Sequence, residues 1–118
     1  MTTKEVVEKY FEYVNSGRWD DYVSLFDDNA VMDEQLLGHI EGRTNVEKGI
    51  EGLRSNKEFR NFPLQIIVEG ENAVALWNII TPLPNGKKLD LKGANFYKIK
   101  NGKIIHFANF HDTKPFEL

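Results

Sequence analysis

The polar residues of the last two alternating stretches of the chain are the first candidates for chemistry. They stand among large apolar residues on either side of Asn101-Gly102, and they are Asn95, Tyr97, Asn109 and His111. A polar side chain in such surroundings costs free energy unless it binds another polar group or a ligand. A histidine there can also take up and release a proton near neutral pH. These residue types predict a polar contact site with proton transfer at the inner face of a hairpin.

The size and composition of the chain limit the kind of protein that this site can belong to. It has 118 residues, a formal net charge of −3, 15 Lys and Arg residues spread along its length, and no cysteine. One domain, 1–118, is expected from this length. Scattered basic residues argue against nucleic acid binding, and the lack of cysteine excludes a thiolate nucleophile and a Cys-based metal site. No apolar run could span a bilayer, so we expect no membrane partner and take a cytoplasmic location as the default.

The first part of the sequence predicts two helices. A capping box at 2–5 and a C-terminal Gly17 bound the first helix, and apolar residues recur at helical spacing between them. The second helix is predicted from the apolar face formed by Trp19, Tyr22, Val23 and Phe26.

A short strand and a third helix are predicted next. Residues 27–29 read as a turn and 30–34 as a strand, and a loop is expected over 35–42. A second capping box at 44–47 predicts the start of the third helix.

The remainder of the chain changes to the two-residue period of a sheet. Strands are predicted over 64–69, 73–81 and the long hairpin 93–112. The strand 73–81 is apolar on both faces, and three helices can cover only one of them. We therefore predict a homodimer through the outer sheet face, since a second copy is the simplest cover for it.

This order of elements resembles the nuclear transport factor 2-like superfamily, in its SnoaL-like and ketosteroid isomerase-like branches. The segments that carry the resemblance are 6–10, 15–17, 25–34, 42–44 and 101–104. The resemblance implies an α+β fold in which three N-terminal helices pack on a curved antiparallel sheet, as in the cone-shaped, cystatin-like α+β barrels. It also implies an apolar pocket between the sheet and the helices.

The resemblance also suggests roles for individual residues. In ketosteroid isomerase a carboxylate removes a proton beside a carbonyl, while a tyrosine and a protonated carboxylic acid hold the oxyanion. Matched by position, Tyr10 falls on the tyrosine, Glu34 on the base and Asn95 on the acid. The SnoaL-like cyclases use a His and an Asp that face each other across the final hairpin, and those positions are Asn95 and Asn109 here.

The turn of the final hairpin decides whether those two amides face each other. A two-residue loop sets Asn95 beside Ala108, whereas a three-residue loop with a left-handed Gly102 in a bulge sets Asn95 opposite Asn109. We predict the three-residue loop, because it places the polar groups together in the pocket and matches the spacing of the family.

The resemblance therefore implies a small-molecule enzyme of ketosteroid isomerase or polyketide cyclase type. It would transfer a proton next to a carbonyl of a small lipophilic or aromatic molecule, with no cofactor and no metal. The predicted catalytic residues are the base Glu34, the oxyanion donors Tyr10 and Asn95, and the proton shuttle His111. The predicted pocket residues are Trp77, Tyr97, Phe107, Asn109 and Asp33.

Each assignment has a structural alternative. Tyr10 on an apolar helix face is more often a core tyrosine, and Asn95 and Asn109 read equally as an amide pair that fixes the register. Glu34 reads as a rim residue if Asp33 points inward instead. At the level of function, the alternatives are a non-catalytic binder of a lipophilic ligand and an assembly module with a closed pocket.

Overall fold

The computed structural model describes residues 1–117 as a six-stranded sheet with the helices packed on one of its faces. The helices are α1 Thr3–Ser16, α2 Trp19–Ser24, α3 Arg43–Gly49 and α4 Glu51–Arg54. The strands are β1 Phe26–Glu34, β2 Gly38–Glu41, β3 Arg60–Glu69, β4 Asn72–Pro82, β5 Lys88–Lys100 and β6 Lys103–Phe110, and a 3-10 turn covers Lys114–Phe116. The predicted α+β class is confirmed. Within residues 1–117, no helix combines the length and apolar content needed to cross a membrane.

The sheet is open and its strands follow the order β2-β1-β6-β5-β4-β3. All neighbouring strands are antiparallel except β1 and β6, which run parallel. The curved antiparallel sheet that the resemblance implied thus contains one parallel pair. The parallel pair matters for the site, because it brings the C-terminal ends of β1 and β6 side by side at the same end of the sheet.

Helix α1 begins and ends as predicted. The backbone N–H of Glu5 donates to Thr2 Oγ1 at 3.2 Å, and the N–H of Thr2 donates to the Glu5 carboxylate at 2.9 Å. Gly17 ends the helix in the left-handed conformation, with φ of 69°, which costs glycine little. The apolar face is buried, and α1 lies against β3 and β4.

The second helix is shorter than predicted. It ends at Ser24, and Phe26, predicted on its apolar face, is the first residue of β1. Phe26 is fully buried and pairs with Ile104 of β6. Residues 27–29, predicted as a turn, lie within β1, where the register with β6 is broken. Pairing with a distant strand overrides the local helical period here.

The segment between β1 and β3 also departs from the prediction. The expected loop over 35–42 contains the edge strand β2, and the capping box predicted at 44–47 does not form. Gly42 precedes the helix instead, at φ of 86°, and its N–H donates to the Ala30 carbonyl. The helical segment is interrupted at Ile50 and continues as α4. Strand β3 begins at Arg60, four residues before its predicted start.

The final hairpin has the predicted register but reaches it by a different route. Asn95 pairs with Asn109, as predicted. The turn, however, is the two-residue loop of Asn101 and Gly102, with φ of 53° and 75°, the conformation of the tight hairpin turns. The extra residue is Ile105, which has no partner on β5. The predicted three-residue loop with a bulge at Gly102 is therefore wrong, and the one-residue offset comes instead from a bulge inside β6, three residues beyond Gly102.

The face of the sheet opposite the helices is apolar and open. We call five of its residues the outer-face patch: Phe62, Ile67, Leu76, Phe96 and Phe110. Strand register places them on one face of the sheet. Leu76 lies across from Ala94 and Ala94 from Phe110, while Phe62, Ile67 and Phe96 pair with residues of β4 that share the face of Leu76. Four of the five are more than a third exposed, up to 57% for Phe110.

Candidate functional site

An apolar cavity of about 350 Å³ lies between the helices and the sheet. This volume is in the range of small-molecule sites. Its walls come from α2, α3, α4, the ends of β1, β4, β5 and β6, and the 3-10 turn. The apolar lining consists mainly of Met32, Leu36, Leu37, Ile50, Leu53, Phe59, Ile79, Leu83, Leu89, Phe107 and Phe116.

The polar groups of this cavity are concentrated where β1 and β6 end side by side. Glu34 is the last residue of β1, and its side chain is 14% exposed. Asn109 Nδ2 donates to Glu34 Oε1 at 2.9 Å, and the N–H groups of Leu36 and Leu37 donate to Oε2 at 2.9 and 2.6 Å. Three N–H donors thus fix the Glu34 carboxylate at the cavity wall.

His111 completes this polar end of the cavity. Its Nε2 lies 3.9 Å from Glu34 Oε1, and its side chain is only 4% exposed. Its Nδ1 lies 2.8 Å from the carbonyl oxygen of Asp112. A carbonyl only accepts, so in the neutral ring Nδ1 carries the proton and Nε2 is left as a base. The rings of Trp77 and Phe116 lie 6.0 and 5.6 Å away and hold the imidazole in place.

A second set of polar side chains lies deeper, inside the core. Trp77 Nε1 donates to Asn95 Oδ1 at 2.8 Å, and Asn95 Nδ2 donates to the Tyr97 hydroxyl at 2.9 Å. All three side chains are at most 2% exposed. Asn95 and Asn109 therefore do not bond to each other, although they lie directly opposite on neighbouring strands. Each is held by a different set of partners.

Two further tyrosines, Tyr10 and Tyr22, lie beside this buried chain of hydrogen bonds. The ring of Tyr10 lies 5.1 Å from that of Tyr22 and 5.2 Å from that of Tyr97. Burial raises the pKa of Tyr10 to about 12, an effect opposed by hydrogen bonding to Tyr22 and Asn95. Burial raises the pKa values of Tyr22 and Tyr97 well above their usual range. All three hydroxyl groups therefore keep their protons at neutral pH.

The residues selected from the sequence fall into three groups. The first group lines the cavity and consists of Glu34, Phe107, Asn109 and His111. The second group forms the core beside it, outside the lining, and consists of Tyr10, Trp77, Asn95 and Tyr97. The third is Asp33, which lies on the other face of the sheet.

The prediction of Asp33 as a pocket residue is corrected by its contacts. Its two carboxylate oxygens lie 2.6 Å from His39 Nδ1 and 2.8 Å from His106 Nε2. Hydrogen bonds from both histidines lower the pKa of Asp33, and hydrogen bonds to Asp33 and Glu41 raise the pKa of His39. Asp33 thus ties β1 to β2 and β6 from outside, because adjacent residues of a strand face opposite ways. Within residues 1–117, no group of three or more His, Asp or Glu side chains is arranged to hold a metal ion.

Several cavity residues were not recognised from the sequence. Tyr22 was predicted only as part of a helix face, and Leu36 and Leu37 fall in a segment predicted as a plain loop. Phe116 lies beyond the predicted hairpin. The one available signal was the pair of adjacent leucines, since two large apolar residues in an exposed loop are unusual unless something packs on them.

Comparison with known proteins identifies this architecture. The model of the SnoaL-like domain family matches residues 7–107. No curated protein matches the chain by sequence. Among solved structures, an NTF2-like protein of unknown function from Burkholderia pseudomallei is similar with a TM-score of 0.89 at 19% identity, covering 98% of this chain and 95% of that one.

Two further structures of this kind carry functional descriptions of their own. SalBIII, described as an epoxide hydrolase/cyclase-like enzyme in pyran ring formation in the polyether salinomycin, has a TM-score of 0.83 at 20% identity, covering 93% of this chain and 90% of that one. TerC, co-crystallised with polyporic acid, has a TM-score of 0.86 at 14% identity, covering 97% and 94%. At these identities the likeness is one of fold.

Proposed function

The chain belongs to the SnoaL-like domain family, and on that premise we propose that it is a small-molecule enzyme that transfers a proton next to a carbonyl group inside its apolar cavity. The reaction class is that of isomerisation or ring closure through an enolate, as in the ketosteroid isomerases and polyketide cyclases. The scaffold alone does not determine the chemistry. The proposal therefore rests on the groups at the polar end of the cavity.

The observation that carries the proposal is the pairing of His111 with Glu34. His111 Nε2 faces the cavity as a base and lies 3.9 Å from Glu34 Oε1. When Nε2 takes a proton from the carbon beside the carbonyl, the imidazolium that forms is stabilised by the neighbouring carboxylate. This assigns proton abstraction to His111 and an electrostatic role to Glu34, in place of the base role suggested by resemblance.

The enolate oxygen requires a hydrogen-bond donor at the same end of the cavity. Asn109 Nδ2 uses one N–H on Glu34, and its second N–H is available to a developing oxyanion. Tyr22 also lines the cavity, but its hydroxyl proton is engaged in a hydrogen bond with Tyr10. Tyr10 and Asn95 support these groups from the core and do not line the cavity themselves.

The lining also defines the ligand. Among the described residues that form the cavity, none is Lys or Arg, so the site offers no cation to an acidic group. The walls are aliphatic and aromatic. A neutral lipophilic or aromatic ketone of small size fits this chemistry. A non-catalytic binder of the same molecules is the second candidate, favoured by the amides at positions 95 and 109.

Exchange of ketone α-protons in D₂O tests the catalytic proposal. A set of neutral aromatic ketones is first ranked by the thermal shift that each produces, and the α-proton NMR signal of the best ligands is then followed with time. We expect catalysed exchange by the natural protein, and a fall of roughly 10² to 10⁴-fold in His111→Gln, because the proton acceptor is removed.

The adjacent residue provides the matched control. Asp33→Asn removes a carboxylate next to Glu34 in sequence but on the opposite face of the sheet, and it should leave the exchange rate unchanged. Ketones that bind tightly without any catalysed exchange would refute the enzyme and leave the binder. Equal rates for His111→Gln and the natural protein would refute the assignment of the base.

We also propose that the outer-face patch is covered by a second copy of the chain. Leu76, Ala94 and Phe110 form one apolar row across three strands, and the helices cover only the other face. On the same face of β5, Lys92 and Lys98 lie on either side of Ala94 and Phe96, so charge borders the apolar centre along this strand, as in protein interfaces. An isologous contact would bury the same patch on both copies.

Light scattering after gel filtration measures the oligomeric state of the protein directly. We expect a dimer that Leu76→Asp converts to a monomer, since the charge would be buried in the contact. Val68→Asp is the matched control, because Val68 has the same 39% exposure but pairs with the buried Ala73 and faces the helix side. A monomeric natural protein, or dissociation by both variants alike, would contradict the proposal.

A further inference from the structure

The turn between β1 and β2 forms part of the mouth of the cavity. Its residues Leu36 and Leu37 line the cavity and are also 48% and 55% exposed. Each side chain therefore has one side on the ligand space and the other in water. Leu37 lies over α3 at Gly49, where an added Cβ would be 3.3 Å from Leu37 Cδ1. The missing side chain of Gly49 leaves the space that Leu37 occupies.

The same turn is tied to the polar end of the cavity by several hydrogen bonds. Glu34 Oε2 accepts from the N–H groups of Leu36 and Leu37. The N–H of Gln35 donates to Asn109 Oδ1 at 2.9 Å, and its side-chain oxygen accepts the N–H of His111. The conformation of the turn thus depends on the residues that contact the ligand.

We propose that Gln35, Leu36 and Leu37 form a gate that selects apolar ligands at the entrance, and that the Glu34 carboxylate is its latch. The inference rests on the proposed function in one respect only, namely that the cavity is the ligand site. It does not depend on catalysis. Hydrogen bonds to an ionised carboxylate are roughly twice as strong as neutral ones, so the charge of Glu34 keeps the two leucines in place.

The aliphatic surface of the gate would favour apolar ligands over charged ones. A ligand must pass two aliphatic side chains that are already half in water, and it gains apolar contact with them as it enters. A charged ligand gains nothing there and loses hydration. Leu36 and Leu37 are therefore specificity-determining residues, and Gln35 is a positioning residue that acts through the turn.

Amide hydrogen exchange of the free protein tests the latch without any ligand or substrate. By NMR, we expect the amides of Leu36 and Leu37 to be protected in the natural protein and to exchange about tenfold faster or more in Glu34→Ala, because their acceptor is lost. Asp90→Asn should leave both amides unchanged, because Asp90 accepts a hydrogen bond from Asn78 on β4 and lies outside the cavity lining. Equal exchange in Glu34→Ala and the natural protein would overturn the latch, whether or not the protein catalyses proton transfer.

Dissociation of a neutral apolar dye, Nile red, tests the gate itself. Replacing Leu36 and Leu37 by alanine should speed dissociation roughly tenfold, because apolar contacts that hold the dye are removed. Leu64→Ala is the matched control, since Leu64 is 57% exposed on β3 and lies outside the cavity lining. An unchanged dissociation rate in the double variant would refute the gate. So would dye binding that neither the double variant nor Glu34→Ala alters.

Discussion

Gly93→Ala is expected to destabilise the protein by about 3 kcal/mol or more, because the added methyl group has no space. Its Cβ would lie 2.5 Å from Trp77 Cη2 and 2.7 Å from the carbonyl oxygen of Phe110. Neither neighbour can yield easily. The indole is fully buried and its Nε1 is bonded to Asn95, and the carbonyl belongs to the backbone of β6. The midpoint of urea unfolding measures the loss.

A second glycine serves as the control for this variant. Gly52 lies in α4 with nothing within 4 Å of an added Cβ. Gly52→Ala is therefore expected to be neutral or to stabilise the protein by up to about 1 kcal/mol, the ordinary difference in helix propensity. A Gly93→Ala protein as stable as Gly52→Ala would mean that Trp77 is not packed against β5 as described.

Asn95→Ala is expected to cost about 3 kcal/mol, since it leaves two buried polar groups without partners. The Trp77 N–H loses its acceptor and the Tyr97 hydroxyl loses its donor, and no water-exposed position is open to either. Asn78→Ala is the matched control. Asn78 is only half-buried and donates to Asp90 and to the backbone of Leu91, so its loss should cost about 1 kcal/mol.

A double-mutant cycle identifies the cause of the loss. In Trp77→Phe the indole N–H is gone, and Asn95→Ala should then be less costly by about 1 kcal/mol or more. Unfolding free energies from urea titrations of the four proteins give this coupling. Strict additivity of the two substitutions would contradict the hydrogen bond and point to packing alone.

The fold could be predicted from the sequence wherever a local pattern also determines the tertiary arrangement. The capping box of α1, its glycine end and the register of Asn95 opposite Asn109 are such cases. Phe26 is a residue whose local pattern predicts the wrong element. Its spacing continues the helix of Trp19 and Tyr22, but pairing with Ile104 of a strand almost 80 residues later decides its conformation. Nonlocal pairing of this kind leaves no periodic signal at the residue itself.

For the candidate site, the sequence predicts which side chains point toward the core, but not which of them reach the cavity. Alternation along a strand indicates which side chains point inward, and Asn95 and Asn109 both do. It does not indicate which inward side chains reach a cavity and which are enclosed by the core. Asn95 is enclosed because Trp77 and Tyr97 take up its hydrogen-bonding groups, whereas Asn109 lies at the end of its strand, where β1 also ends. Whether an inward side chain reaches the cavity or is enclosed depends on where the helices that cover the sheet end. The two-residue period of a strand does not indicate the positions of those helices.

The unpaired residue at position 105 also creates a risk during folding. Closed without the bulge, the same tight turn would align the two strands one step out of phase and point His106 and Phe110 to the interior. In that misfolded hairpin Asn109 could reach neither Glu34 nor the backbone of Gln35. The contacts of Asn109 that shape the polar end of the cavity therefore also disfavour the wrong strand alignment, so only the correctly aligned hairpin can complete the cavity.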